Sequence, residues 1–253
     1  MTQSNQRKRA LEDIRQNIER FGHHIYLVAG DGQTPRFAYT IGDSESIGFE
    51  LILAGAIFYM KDDVLKIING ILAQIKAQPD RDAFKVDGQG SFTLRDVHSS
   101  WARELLLGAF DYYREREIRV RQIVPEKAHW TIDVPDMRTA WNAEKEPVWQ
   151  WLREPWGYAV PEKSTAVTNL AALRGSRTTE AVRWEEDYWE IFAGAGPDVP
   201  KKELRVVPLG TLMATDASLA RVMSLEIGAG VWRDADSDWH SWVRRDSSDE
   251  SSS

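Results

Sequence analysis

One stretch sets the architecture of the first half of this chain: Arg36-Phe-Ala-Tyr-Thr-Ile-Gly-Asp-Ser-Glu-Ser-Ile-Gly-Phe-Glu-Leu-Ile-Leu-Ala-Gly55. Aromatic, β-branched and aliphatic residues dominate its two ends, which is typical of strands. The stretch therefore predicts strands over Phe37–Ile41 and Glu50–Ala54, joined by a polar loop that contains glycine. Tyr39 and Thr40 place two hydroxyl groups where the first strand ends.

The flanking sequence adds helices and further strands. Residues 6–21 place Leu11, Ile14, Ile18 and Phe21 three or four positions apart, the spacing of one helix face. The other elements predicted before residue 160 are a strand over 24–29, a helix over 61–78, a hairpin over 84–97, a helix from 99 or 100 to about 114, a strand over 118–124 and a helix over 146–153.

The second half predicts a further group of short strands, over 166–170, 179–184, 187–194, 204–209, 230–233 and 238–243. Asp216 is a candidate N-cap for a short helix that reaches Leu225. Strands outnumber helices and do not alternate with them strictly, so the pattern predicts an α+β fold. We expect two small mixed domains, each a mostly antiparallel sheet with packed helices.

Changes in residue composition along the chain predict the domain boundaries. Residues 1–155 form the first domain and end in a connector rich in Trp and Pro, residues 156–245 form the second, and 246–253 form a disordered tail of Ser, Asp and Glu. The absence of cysteine excludes disulfides and thiol chemistry and favours a cytoplasmic protein. A net charge of −7 argues against nucleic-acid partners, and no apolar run is long enough for a membrane span.

Five polar residues are the candidates for catalysis: Tyr39, Thr40, Glu50, Asp96 and His98. A His beside a carboxylate can act as a general base, and a Tyr or Thr hydroxyl can position a substrate or act as nucleophile. The alternative is structural. Tyr39 and Thr40 then serve as strand residues, while Asp96 and His98 cap the helix that follows.

A second set of candidates concerns binding. Ten of the 11 tryptophans lie at or after position 130, which predicts a binding surface or, alternatively, a loop that packs its own aromatic residues. An acidic turn lies farther along the chain and suits a basic partner, although solvated turns have the same composition. The candidate binding residues are Trp130, Trp141, Trp149, Glu185, Glu186, Asp187 and Trp189.

Metal and nucleotide sites lack support in the sequence. His23 and His24 are adjacent strand residues and point to opposite faces, so they do not form one metal site. The glycines do not form a phosphate-binding loop, because neither Gly-Lys-Ser/Thr nor Gly-x-Gly-x-x-Gly occurs at a strand-to-helix turn. We therefore expect no cofactor and no metal.

Two resemblances extend these predictions. The first rests on Phe21-Gly-His-His-Ile-Tyr-Leu-Val28, on the strand Phe37–Ile41 with Gly42, on Gly48-Phe-Glu-Leu51, on Val97-His-Ser-Ser-Trp101 and on Arg121-Gln-Ile-Val-Pro125. These segments resemble a bacterial family, domain of unknown function 4262, across residues 8–155. That family has no settled activity. Phe49 stands where many of its members have His or Pro, so a histidine at this loop cannot be assumed.

The second resemblance covers residues 164–243. It rests on Asp187-Tyr-Trp-Glu-Ile-Phe192, Val207-Pro-Leu-Gly210, Asp216-Ala-Ser-Leu219, Gly230-Val-Trp-Arg233 and Trp239. These segments resemble the immunity-protein-like family, domain of unknown function 2185. The resemblance implies a non-enzymatic bacterial interaction protein, an immunity or regulatory factor that binds a protein partner, with homo-oligomers also allowed. The alternatives are a small-molecule sensor and a hydrolase or transferase that uses the five-residue group.

Overall fold

The computed structural model describes residues 3–30, 33–114, 117–234 and 238–243. The predicted tail over 246–253 lies outside these residues. Two six-stranded mixed sheets, each with packed helices, organise the chain, and this confirms the predicted α+β class. The first sheet has the order β1-β2-β3-β6-β5-β4 and consists of β1 (His24–Val28), β2 (Phe37–Ile41), β3 (Glu50–Ala54), β4 (Ala83–Val86), β5 (Gly90–Asp96) and β6 (Val120–Pro125).

The first sheet is antiparallel except where β3 pairs with β6 in parallel. Both of its faces are buried because β2 and β3 carry apolar residues at successive positions. On β2, Phe37, Tyr39 and Ile41 contribute to one core and Ala38 to the other. The helices of this half are α1 (Gln3–Phe21), α2 (Ser44–Ile47), α3 (Lys61–Ala77), α4 (Ser99–Leu105) and α5 (Leu107–Tyr113).

Helix α3 covers one face, since its buried residues Val64, Ile67, Ile68 and Ile71 pack on the side of Ala38. Helices α1, α4 and α5 cover the other face. The single helix predicted from 99 or 100 to about 114 is wrong in detail, because Leu106 separates α4 from α5 with ψ 40°. None of the helices in the described part of the chain is long and apolar enough to cross a membrane.

The second sheet has the order β10-β7-β9-β8-β11-β12, and β7 and β9 pair in parallel. Its strands are β7 (Thr165–Asn169), β8 (Glu180–Arg183), β9 (Tyr188–Phe192), β10 (Leu204–Pro208), β11 (Ala229–Trp232) and β12 (His240–Val243). Its helices are α6 (Leu170–Leu173) and α7 (Leu209–Met213), and 3-10 turns occupy Lys127–His129, Pro147–Leu152, Gly196–Asp198, Lys201–Glu203 and Ala217–Ser224. Asp216 caps the last of these turns, as predicted, by accepting a hydrogen bond from Ser218 N.

The two sheets are joined by direct contacts. Ile57, which follows β3, is buried in the core of the second sheet, and Ile132 packs against that core. Gln33 accepts a hydrogen bond from Gly210 N (2.5 Å) and donates one to the carbonyl of Glu162. The hydrogen bonds of Gln33 hold the start of α7 beside the loop before β2.

Candidate functional site

Thr40 and Glu50 are the two catalytic candidates that the structure brings together. Both are fully buried, and Thr40 Oγ1 donates to Glu50 Oε2 at 2.5 Å. Glu50 Oε1 accepts hydrogen bonds from Gly42 N (3.2 Å) and Ser44 N (2.9 Å). The hydroxyl of Tyr113 on α5 also donates to Glu50 Oε1. Four donors thus surround this carboxylate and fix the end of β2 to the start of β3 and to α5.

The other three candidates lie elsewhere. Tyr39 points into the core on the α5 side, where its hydroxyl accepts a hydrogen bond from Gly108 N at 3.0 Å. Asp96 is 77% exposed and lies 3.8 Å from the guanidinium groups of Arg119 and Arg121. His98 caps α4, with Nδ1 accepting from Ser100 N at 3.2 Å. The five side chains do not form one group, and the geometry of His98 is that of the structural alternative.

The candidate binding residues divide between the core and the surface. Trp149 and Trp189 are fully buried, and Trp149 Nε1 donates to the carbonyl of Asp133 at 2.9 Å. Trp130 and Trp141 are half-buried. Glu185 and Glu186 are exposed in the turn between β8 and β9, whereas Asp187 forms an ion pair with Lys163 at 2.8 Å. The surface available to a partner is therefore smaller than the sequence predicted.

A cavity of about 130 Å³ lies where the two halves of the chain meet, and six of its nine lining residues are apolar. We call it the polar cavity after the other three. Arg36, at the start of β2, and Asp133 line it from the first half, and Thr211 on α7 lines it from the second. Each of these side chains holds a buried atom without a hydrogen-bond partner in the described structure: Arg36 Nε, Asp133 Oδ1 and Thr211 Oγ1. Buried polar atoms are normally paired, so a cavity lined by three residues that each hold an unpaired polar atom is a candidate binding site.

Asp133 is fully buried, and this burial raises the pKa of its carboxyl group above the ordinary value. The nearby Thr131 hydroxyl, the N–H of Ile57 and the charge of Arg36 act in the opposite direction. Ile57 N donates to Oδ2 at 3.0 Å, while Thr131 Oγ1 and Asp133 Oδ1 are both buried without a hydrogen-bond partner among the described residues. A buried carboxyl group with a raised pKa beside a cavity is a frequent property of functional sites.

Arg36 is held by backbone carbonyls. Its Nη2 donates to Ala56 O at 3.0 Å and to the carbonyl of Tyr59. Burial lowers the pKa of its guanidinium group. The chain turns sharply beside it, because Gly55 (φ 68°) and Ala56 (φ 58°) both adopt left-handed conformations. This turn positions the Arg36 side chain at the cavity with its Nε unpaired.

The sequence did not identify this site, because its three residues are far apart in the chain and lie in no recognisable motif. One signal was present: Asp133 interrupts the otherwise uncharged run Trp130-Thr-Ile-Asp-Val-Pro135. Charged residues are seldom fully buried without a partner, so such an interruption indicates a special environment.

No three His, Asp or Glu side chains in the described part of the chain are close enough to hold a metal ion. His23 Nε2 lies 3.0 Å from Asn69 Oδ1, and His24 Nδ1 lies 2.9 Å from Asn17 Nδ2. The two histidines therefore have separate polar neighbours. Burial lowers the pKa of His24, which favours its neutral form.

Comparison with known proteins adds one finding. Residues 17–129 match a family described as a domain of unknown function (DUF4262). The match confirms the resemblance predicted for the N-terminal part and covers Arg36, but it ends before Asp133 and Thr211. The predicted resemblance of the C-terminal part to domain of unknown function 2185 is left without support. No curated protein and no solved structure shows significant similarity to the chain.

Proposed function

We propose that this protein binds a small molecule without transforming it, and that the polar cavity between the two sheets is the binding site. One observation carries the proposal: Arg36, Asp133 and Thr211 line a single cavity, and each holds a buried polar atom without a partner in the described structure, namely Nε, Oδ1 and Oγ1. Leaving such atoms unpaired costs about 1–3 kcal/mol each, and a ligand that pairs them recovers this free energy. Ligand sites commonly lie between packed units, as this cavity does.

Binding without reaction fits the geometry better than catalysis does. A catalytic hydroxyl needs a base within hydrogen-bond reach, and within the described residues Thr211 Oγ1 makes no such contact. Glu50 and Thr40 satisfy each other in the core and do not line this cavity. Of the functions predicted from the sequence, the polar cavity therefore favours the small-molecule sensor. Residues from both halves of the chain contribute to its site.

A thermal-shift screen of small polar metabolites tests this proposal, because a ligand that binds the folded state raises its melting temperature. Thr211→Val removes one of the unpaired atoms and should reduce the shift given by each ligand. Thr168→Val is the matched control, since Thr168 is fully buried with an unpaired hydroxyl but does not line the cavity. A screen without stabilising compounds, or equal loss of the shift in both variants, contradicts the proposal.

A protein partner is the second candidate function. Its support is the exposed pair Glu185 and Glu186, whose carboxylates are available to a basic surface beside the neutralised Asp187. The more specific role, that of a bacterial immunity or regulatory factor in the cytoplasm, has only the predicted C-terminal resemblance behind it. Homo-oligomers remain compatible with this reading.

Purification of the tagged protein at physiological salt tests the partner. The expected result is one stoichiometric partner that is lost in the double variant Glu185→Lys, Glu186→Lys. Glu144→Lys is the control, because Glu144 is also exposed but lies in a different loop. Retention of the partner by the double variant would exclude this surface as the contact.

A further inference from the structure

A second, apolar cavity of about 140 Å³ adjoins the polar one. Leu27, Phe37, Ala38, Leu53 and Val64 line it, mostly from β1, β2 and α3. Ala29 and Arg36 line both cavities, so the two spaces are neighbours at these residues. An apolar space of this size matches the roughly 150 Å³ cavity that accepts benzene in another protein.

We propose that the ligand is a small neutral amphiphile with an amide-type head group, and this rests on the proposed function. Its head group lies in the polar cavity between Arg36, Asp133 and Thr211. Its apolar group, the size of a phenyl ring or a short branched alkyl chain, lies in the apolar cavity. The two parts of the ligand join beside Ala29 and Arg36, the residues common to both cavities.

The hydrogen-bonding groups favour an amide. The unpaired Arg36 Nε is a donor, so it requires an acceptor such as a carbonyl oxygen. Asp133 Oδ1 accepts the N–H of the same amide when ionised, and the Thr211 hydroxyl can donate or accept. A primary amide therefore presents the two kinds of group that the cavity lacks. Such a ligand also replaces the hydrogen bonds of any water that it displaces.

The charges favour a neutral head group. Arg36 carries a positive charge on this cavity and Asp133, when ionised, a negative one, and each acts on the pKa of the other. A carboxylate ligand is attracted by Arg36 but repelled by an ionised Asp133, and an ammonium ligand is attracted by Asp133 but repelled by Arg36, so a neutral head group avoids both repulsions. Lys61 also lines the apolar cavity, but it is exposed to water and attracts an anion only weakly.

Titration calorimetry on the intact protein with four simple probes tests this ligand class. Benzamide carries both parts of the expected ligand, acetamide lacks the ring, benzoate carries an anionic head and benzylamine a cationic head. We expect benzamide to bind at least about tenfold more tightly than each of the other three, since each lacks one required property. Equal or tighter binding of acetamide, benzoate or benzylamine overturns the inference.

Two variants locate the bound benzamide. Val64→Phe fills the apolar cavity and should weaken benzamide binding at least about tenfold, whereas Thr211→Val should weaken it about five- to tenfold through the head group. If Val64→Phe does not fold, Ala29→Trp replaces it. Ala29 is exposed and lines both cavities, so a Trp at this position should obstruct the space where they meet. Unchanged benzamide affinity in these variants overturns the inference.

The two proposals fail in different ways. If benzamide does not bind but another compound gives a thermal shift that depends on Thr211, the amide-type ligand is wrong and the binding site stands. If no compound gives such a shift, both proposals fall together.

Discussion

Glu50 illustrates, at the scale of a single residue, how a carboxylate can be conspicuous in the sequence and still be structural. It is fully buried and accepts hydrogen bonds from Thr40, Gly42, Ser44 and Tyr113. In Glu50→Gln, an NH₂ group replaces one carboxylate oxygen. It is itself a donor, so it cannot accept the hydrogen bonds that this oxygen accepted. We expect a loss of about 2–4 kcal/mol in the free energy of unfolding, measured by urea denaturation.

Asp96→Asn is the control for this loss. Asp96 is 77% exposed and its nearest cations are 3.8 Å away, so removing its charge should change the free energy of unfolding by about 0.5 kcal/mol or less. Equal effects of the two substitutions would show that the Glu50 hydrogen bonds do not contribute to stability as their geometry implies.

Asp133 gives a prediction of pH dependence. Burial raises the pKa of its carboxyl group in the folded state above the unfolded value near 4, so the folded protein binds the proton more tightly. Its contribution to stability is therefore fully present below pH 4 and is lost as the pH rises through the folded pKa. We expect the wild type to lose stability relative to Asp133→Asn as the pH rises from 4, measured by denaturation at several pH values.

The difference between the two proteins is the informative quantity, because the other titrating groups are common to both. A difference that stays constant with pH, or one that grows in favour of the wild type, would show that hydrogen bonds and Arg36 outweigh burial at Asp133. In that event the pKa of Asp133 in the folded protein is not raised above its ordinary value.

The Thr40–Glu50 pair and the lining of the polar cavity differ in how far the sequence could predict them. Thr40 and Glu50 stood out because both lie at strand ends in one short stretch, and the structure does bring them together. Arg36, Asp133 and Thr211 line one cavity only because distant parts of the chain meet there in the folded protein. Their long separation along the chain leaves no periodicity or spacing to detect. Local patterns therefore identified a structural cluster and missed the cavity.

At the scale of an element, the turn after β3 depends on Gly55. This residue has φ 68°, and a Cβ atom placed on it would lie 2.0 Å from the carbonyl oxygen of Asp133. In Gly55→Ala the left-handed conformation costs about 1–2 kcal/mol, and displacement of the Asp133 backbone adds about 1–3 kcal/mol. We expect a total loss of about 2–5 kcal/mol in the free energy of unfolding, measured by urea denaturation.

Gly48→Ala separates the two contributions. Gly48 is also left-handed, with φ 85°, but its Cβ atom would meet nothing within 4 Å in the described structure. This variant should show the conformational cost alone, about 1–2 kcal/mol. Similar losses of unfolding free energy in the two variants would mean that the backbone at Asp133 shifts at little cost in free energy.

The elements themselves were largely predictable. The two strands of the opening stretch were predicted with their observed bounds, because β-branched and aliphatic residues lie between clear turn residues. The break at Leu106 was not, since Trp101, Leu105 and Ala109 continue the apolar spacing across it and all three are buried. The parallel pairing of β3 with β6 and of β7 with β9 depends on tertiary contacts that no local pattern encodes.

At the scale of the whole molecule, the predicted boundary between residues 155 and 156 meets a shared core. Ile57 is buried among residues of the second half, and Ile132 packs there as well. Ile132 N also donates to Leu173 O at 2.8 Å. The division into two domains therefore stays a prediction. It is tested by asking whether the two sheets unfold independently, and Arg205 provides that test.

Arg205 on β10 donates from Nε to Ile57 O at 2.9 Å and from Nη2 to Phe58 O at 2.6 Å, so it joins the second sheet to the turn after β3. Arg205→Ala leaves both carbonyl groups without this donor and should cost about 2–4 kcal/mol. If the sheets unfold as one unit, amide hydrogen exchange in β3 and in β9 should show the same loss of protection. Arg138→Ala is the control, because Arg138 is exposed and pairs with Asp136 at 2.6 Å, so its loss should leave hydrogen exchange in both strands nearly unchanged. A loss confined to β9 would instead establish two independent domains, and the cavity between them could then open without unfolding either sheet.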